Sequence, residues 1–185
     1  EEKIENEKIA TYPILFEDIF GQVQAKRGLE IAAAGGHNIL LTGPPGTGKS
    51  MLATASISIL PPLNQTELLD INSIYSVAGL LNNSILTQRP FRAPHHTITS
   101  ASLFGGGSNL QPGEISLAHT GILFLDEITE LPKYLLESLR QPLEDKKITL
   151  ARISGSTTYP CEFILIAASN PCPCGYRFSQ IKHCN

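Results

Sequence analysis

The stretch HNILLTGPPGTGKSMLATASISIL, His37–Leu60, decides the fold. It has three parts. A short apolar run that ends in glycine, ILLTG, reads as a strand, and MLATASISIL reads as a helix stopped by Pro61 and Pro62. Between them Gly43, Pro44, Pro45, Gly46, Thr47, Gly48, Lys49 and Ser50 satisfy G-x-x-x-x-G-K-[ST]. The spacing has a physical purpose. The backbone N–H groups of Gly46, Thr47, Gly48 and Lys49 must converge on phosphate oxygens, and a Cβ at the glycines would obstruct that approach. Lys49 supplies a mobile positive charge to the β- and γ-phosphates of ATP, the Ser50 hydroxyl a ligand to Mg²⁺, and the helix N-terminus its dipole.

Two further apolar runs end in residues that complete this chemistry. GILFLDE, Gly121–Glu127, places Asp126 and Glu127 at the carboxyl end of a buried strand, where open α/β sheets bind ligands. Asp126 is read as holding Mg²⁺ through water, and Glu127 as orienting and deprotonating the attacking water. EFILIAASN, Glu162–Asn170, ends in an amide suited to the γ-phosphate or the lytic water, although Asn is also a common turn residue. Upstream, FEDIFGQVQAKRGLEIAAAG places Val23, Leu29, Ile31 and Ala32 on a helical period that stops at Gly35 and Gly36. Strand runs alternating with helical segments predict a parallel sheet with crossovers, an α/β three-layer sandwich. Arg89–Leu117, broken by prolines and the run Gly105-Gly106-Gly107, predicts an irregular insertion. Ile148–Tyr159 predicts a β-hairpin turning at Ser154 and Gly155.

Composition bounds the rest. The chain has 185 residues, 42% of them hydrophobic, which supports one globular core. Residues 1–12 are charged and aperiodic, a linker, and residues 13–185 form the domain. A net charge of -3 gives no global attraction to nucleic acid, so any such contact must be local or arise from assembly. No apolar stretch is long enough to span a membrane and the first residues do not resemble a signal peptide, so a cytoplasmic location is expected.

The segment RPFRAPHHTIT, Arg89–Thr99, concentrates two arginines and two adjacent histidines. In an extended chain the side chains of His95 and His96 point apart, which disfavours joint chelation, and no acid–base role is vacant for them. Arg89 and Arg92 are candidates for phosphate contacts, the alternative being a solvated loop packed against protein. Arg152, with Lys146 and Lys147 nearby, would sit close to the turn of its hairpin. There it would track a nucleic-acid backbone or protect an exposed sheet edge.

The phosphate loop, the paired acids and Asn170, with FEDIFGQVQAKRGLEIA ahead of them, resemble the AAA+ ATPases. NSIYSVAGL, RPFRAPHHTIT, GGGSNLQPGEISLAHTGILFLDE, LLESLRQPLED and NPCPCG narrow the resemblance to the ComM/YifB family of magnesium-chelatase-like AAA+ proteins. That resemblance implies a Walker A loop at Gly43–Ser50, a Walker B pair at Asp126 and Glu127, and sensor 1 at Asn170. It implies adenine packing by Ile19 and Val23, a helix-2 insert from Arg89 to about Leu110, and a pre-sensor-1 hairpin at Ile148–Tyr159. The implied assembly is a hexameric ring on ATP, and the implied activity is DNA branch migration during natural transformation. Rival expectations are an ATPase driving metal insertion through a partner subunit, and a nucleotide-gated assembly platform.

Cys172, Cys174 and Cys184 match the family's paired C-x-C pattern up to its last cysteine, which would be the next residue beyond this chain. Such thiolates, with His183 as substitute, would hold Zn²⁺, the alternative being reduced loop thiols. The remaining cysteine, Cys161, is read as a small core residue. The family's arginine finger, last core strand and helical lid are expected outside this chain, which by itself should bind nucleotide weakly. Arg140 is the one internal candidate for a contact with a neighbour.

Overall fold

The computed structural model describes residues 12, 14–81, 85–107, 109–152, 155–172 and 177. A 3₁₀ turn, Phe16–Asp18, leads to helix α1, Val23–Gly35, which Gly36 ends with a left-handed backbone (φ 63°) and an N–H donated to the Ala32 carbonyl. Strand β1, Ile39–Thr42, runs into the glycine loop and then helix α2, Lys49–Ala55, prolonged by a 3₁₀ turn over Ser56–Ile59. Helix α3, Gln65–Val77, starts at a capping box in which the Asn64 side chain accepts from the Glu67 N–H and the Glu67 carboxylate accepts from the Asn64 N–H.

Strand β2 is Phe91–Arg92. After it come helix α4, Ser100–Phe104, the small hairpin β3, Gly105–Gly106, with β4, Gln111–Pro112, and helix α5, Glu114–Leu117. Strand β5, Ile122–Leu125, helix α6, Lys133–Asp145, hairpin β6, Lys147–Arg152, with β7, Gly155–Pro160, and strand β8, Ile164–Ser169, complete the order.

The central sheet has the order β1-β8-β5-β2, and every pairing in it is parallel. Alternation along β5 divides the core. Ile122 and Phe124 face Leu29, Leu41, Leu52 and Ala53 on the α1–α2 side, while Leu123 and Leu125 face Leu103, Ile115, Leu135 and Leu139 on the α4–α6 side. This is the three-layer α/β sandwich that the apolar runs predict. Of the residues placed on the α1 period, Leu29 and Ala32 are buried but Val23 and Ile31 are exposed. Leu29 and Ala32 lie three apart on one face, and Ile31, two residues from Leu29, turns away from it.

One expectation is corrected. The segment read as wholly irregular from Arg89 contributes β2 to the central sheet, with Phe91 opposite Ile122 and Arg92 opposite Leu123. Two residues between prolines show no periodicity, so the strand left no pattern to read. Its pairing needs Gly121, where a Cβ would collide with the Pro90 carbonyl that accepts from the Ile122 N–H at 2.9 Å. The insert proper is therefore the stretch from α4 through the β3–β4 hairpin to α5. It leans on the second hairpin, because the Tyr159 hydroxyl donates to the Leu110 carbonyl at 2.9 Å. That second hairpin forms, with Ile148 opposite Tyr159, but Gly155, expected at the turn, pairs with Arg152 as the first residue of β7, and Ser154 lies outside the described residues.

Candidate active site

Because the four strands of the central sheet run the same way, their carboxyl ends gather four loops along one edge in the order of the strands. After β1 comes Gly43–Ser50. Gly46 (φ 77°) and Gly48 (φ 82°) take left-handed conformations that favour glycine, and they bend the loop into the start of α2. Thr47 Oγ1 donates to the Pro44 carbonyl at 2.9 Å, which ties the loop across itself. The Lys49 ammonium donates to the carbonyls of Gly43 (2.8 Å) and Pro44 (3.0 Å) and to Asn170 Oδ1 (3.2 Å), the residue that ends β8. All three acceptors are uncharged, so a phosphate oxygen would compete with them favourably for the same ammonium.

After β5 come Asp126 and Glu127. Ser50 Oγ donates to Asp126 Oδ2 at 2.9 Å, and the Glu127 N–H donates to Asp126 Oδ1 at 2.9 Å, so the Asp126 carboxylate is held from both sides. A hydroxyl and a carboxylate brought together from distant parts of the chain are hard oxygen donors, the set that Mg²⁺ takes. Glu127 is half-exposed and has a left-handed backbone (φ 48°), which turns its side chain out of the strand direction.

The fourth loop, after β2, brings His96. Its Nδ1 lies 3.3 Å from Glu127 Oε2, a contact the sequence reading missed. The expectation that the two histidines point apart is corrected too, since their ring centroids are 4.0 Å apart. The chain is not extended there. The Ile98 N–H closes a turn on the His95 carbonyl at 2.9 Å, and His95 Nδ1 is 2.9 Å from Thr97 Oγ1.

Of the residues proposed to pack adenine, Val23 is exposed (77%) and open to a ring, whereas Ile19 (4%) is buried in the core beside Phe16 and Leu29. Next to them Gln22 Nε2 donates to the Thr47 carbonyl at 3.1 Å, joining this segment to the glycine loop.

The arginines differ from one another. Arg89 lies at the amino end of β2, at the opposite edge of the sheet from these four loops. Its guanidinium pairs with both oxygens of Glu67 (2.9 and 3.0 Å) and donates to the carbonyls of Thr120 (2.5 Å) and Pro61 (2.6 Å). Arg92 forms a bidentate pair with Glu114 at 2.6 and 2.7 Å. In this arrangement neither presents a free guanidinium to a phosphate. Arg152 is exposed at the end of β6 and has no carboxylate partner among the described residues. Arg140 is exposed on α6 and pairs with Glu144 at 3.1 Å.

Cys161 is buried, as expected, and burial pushes its thiol up to about 12. Cys172 Sγ accepts from the Arg177 N–H at 3.2 Å, while Cys174, Cys184 and His183 lie outside the described residues. Among the described residues no group of three or more His, Cys, Asp or Glu is placed to hold a metal ion. Nor is any helix among them long and apolar enough to cross a membrane.

A cavity of about 370 Å³ sits at the opposite end of the sheet, lined by Glu67, Asp70, Arg89, His119, Lys146 and Glu162 among others. Its charges are paired within the fold. Lys146 meets Glu162, and the buried His119 accepts at Nδ1 from the Glu162 N–H at 3.1 Å. Burial pulls the His119 imidazole below its ordinary value of 6.5, against the opposing pull of Asp70, Glu162 and Glu67.

Comparison with known proteins agrees with this geometry. The sequence model of the family described as "Magnesium chelatase, subunit ChlI" matches residues 15–185. The uncharacterized protein YifB of Salmonella typhimurium is 51% identical over 171 residues, covering 90% of this chain and 33% of YifB. The competence protein ComM of Haemophilus influenzae is 49% identical over 160 residues, covering 86% of this chain and 31% of ComM. The chain thus spans about a third of the length of these relatives. Among solved structures, the complex between subunits BchI and BchD of magnesium chelatase gives a TM-score of 0.65 at 22% identity, over 86% of this chain and 56% of that one. NtrX of Brucella abortus in complex with ADP gives 0.55 at 23%, over 83% of this chain and 31% of that one. At such identities the likeness is one of fold.

Proposed function

The chain belongs to the family of magnesium chelatase subunit ChlI, AAA+ ATPases that include its ComM- and YifB-like relatives, and from this and the site geometry we propose which residues bind and hydrolyse ATP. Gly43–Ser50 cradle the triphosphate with backbone N–H groups, and Lys49 exchanges its carbonyl partners for β- and γ-phosphate oxygens. Ser50 and, through water, Asp126 would hold Mg²⁺, which when bound supplies neutralisation of the phosphate charge. Glu127 orients the attacking water and accepts its proton on the carboxylate. Asn170 directs its amide to the γ-phosphate or that water. Val23 offers an apolar surface to the adenine.

The observation that carries this reading is the meeting of Ser50 with Asp126 at 2.9 Å although they stand 76 positions apart in the sequence. Motif spacing along the chain says nothing about that distance; the strand order produces it.

The finer reading is a DNA motor. It acts in the cytoplasm, assembles as a hexameric ring on ATP, and turns its hairpins toward a central strand of DNA. Its support is the 49% identity to a competence protein and the exposed Arg152 on the β6–β7 hairpin. Copies around a ring would sum such charges into a positive channel despite the acidic average.

The deciding experiment measures ATP turnover by the full-length protein with and without branched DNA. DNA-stimulated turnover is expected. Stimulation by a porphyrin-binding partner subunit and not by DNA would favour the chelatase reading instead, and ring assembly without turnover would favour a nucleotide-gated platform. Glu127→Gln is expected to keep ATP affinity and lose about a hundredfold or more in kcat, since it removes a general base. An equal loss of affinity and rate would remove Glu127 from that role.

A further inference from the structure

We propose that Gln22 is a positioning residue for the glycine loop, holding the Thr47 carbonyl so that the Gly48 N–H of the same peptide unit stays turned toward the triphosphate. The inference rests on the reading of Gly43–Ser50 as the triphosphate cradle. Gln22 Nε2 donates to the Thr47 carbonyl at 3.1 Å from 25 positions away in the sequence. A peptide unit is planar and trans, so its C=O and N–H point opposite ways. A donor that fixes the Thr47 oxygen therefore fixes the direction of the next amide as well.

That amide needs a hold. Gly48 has φ 82°, and glycine takes either sign of φ about as readily, so the Thr47–Gly48 unit can turn over at little cost. Turned over, it would offer the phosphate a carbonyl oxygen in place of a donor. The Thr47 hydroxyl does not prevent this, being committed to the Pro44 carbonyl at 2.9 Å.

Gln22 breaks two local rules in making the contact. Its backbone is left-handed, φ 50° and ψ 37°, directly after Gly21 at φ 72°, where glycine or asparagine would sit with less strain. It also precedes α1 at the position where Ser, Thr, Asp or Asn caps a helix, yet its side chain makes no capping bond. The amide reaches the glycine loop instead. Asparagine would suit the backbone and the cap but not the distance. The turn that carries this strain is held at both ends by one residue of α1, since the Lys26 ammonium donates to the Ile19 carbonyl at 3.0 Å and the Lys26 N–H to the Gln22 carbonyl at 2.9 Å. Local rules broken without a local gain mark a side chain used elsewhere. The next residue is Val23, the proposed adenine surface, so the base and the phosphates of one nucleotide would meet a single connected segment.

The test uses Gln22→Met, which keeps the length without a donor, Gln22→Asn, which keeps the amide without the reach, and Gln22→Gly, which fits the left-handed backbone and has neither. Each is made in the full-length protein, with Lys49→Ala beside them, and titrated with MgATP and with magnesium tripolyphosphate, three phosphates without a base. All three Gln22 variants are expected to weaken both ligands by the same factor, about fivefold to tenfold, which is what one hydrogen bond contributes. Denaturant titration without nucleotide should find Gln22→Asn and Gln22→Gly as stable as the wild type, which separates the loss from a failure to fold. Wild-type affinity in Gln22→Met overturns the proposal. So does a loss for ATP with none for tripolyphosphate, which would leave Gln22 as a support for the adenine segment alone. Should Lys49→Ala bind both ligands as the wild type does, the reading of the loop has failed, whereas a defective Lys49→Ala beside a normal Gln22→Met sinks the hold by itself.

Discussion

At the carboxyl ends of the sheet, Lys49, Ser50, Asp126 and Asn170 meet through single hydrogen bonds to partners that a ligand can displace. At the amino ends, Arg89 commits its guanidinium to Glu67, Thr120, Pro61 and Pro62, all within its own fold. Both ends of one sheet gather charge, and the difference between them separates the proposed binding site from a structural clamp. The ammonium of Lys49 rests on neutral carbonyls, so exchange for a phosphate gains charge complementarity. The guanidinium of Arg89 already has a carboxylate in fork geometry and is 90% out of water, so exchange would strand that carboxylate.

Substitution at each end should therefore fail in a different way. Lys49→Ala is expected to lower ATP affinity by about a hundredfold or more, from the loss of charge-assisted contacts, with little change in stability. Arg89→Ala should do the reverse. It leaves Glu67 and the Thr120 carbonyl without their buried partner and is expected to lower unfolding stability by about 3 kcal/mol, with ATP affinity unchanged. Denaturant titration and nucleotide titration of both variants would check this. A stable Arg89→Ala protein with impaired ligand binding would erase the contrast.

The loops at the carboxyl end of the sheet were legible in the sequence because their residues recur at fixed local spacing. The glycine loop declares itself within Gly43–Ser50, and ILFLDE and ILIAASN are strands long enough to read as buried runs that deliver Asp126 and Asn170 to one edge. What escaped depends on pairings across the chain. Strand β2 is two residues long, and it becomes a strand only because Gly121 lets Pro90 approach. Without β2 in the sheet there is no reason to place His96 beside Glu127. Arginine composition was equally silent, for a guanidinium reads the same in sequence whether it faces DNA or, like Arg92, a glutamate such as Glu114. Arg152, on its hairpin, and Arg140, on α6, are exposed.

A smaller effect belongs to the amino-end cavity. With its imidazole held below 6.5 by burial, His119 binds fewer protons in the folded chain than in the unfolded one. Its contribution is therefore intact above about pH 6.5 and declines as pH falls below that value, until the folded group protonates as well. Protonation at Nδ1 would also break the bond from the Glu162 N–H. Thermal unfolding between about pH 7.5 and 5 should show a loss of stability on acidification, and His119→Asn, which retains an acceptor, should flatten it. An unchanged slope in that variant would move the acid sensitivity elsewhere.

The smallest effect tests the third arginine. Arg89 and Arg92 are closed by carboxylates, whereas Arg152 at the end of β6 has none among the described residues and stays in water. An exposed, unpaired guanidinium on a hairpin suits a phosphate backbone because little desolvation opposes the contact. Its loss should weaken branched-DNA binding only a few-fold, lower the slope of log K against log salt by about one, and leave ATP turnover without DNA as it was. Arg92→Ala offers the matched control, since it removes a similar charge from a closed pair and should cost stability without altering that slope. If the two variants shift the salt dependence equally, the distinction between closed and open arginines does not decide where DNA is met.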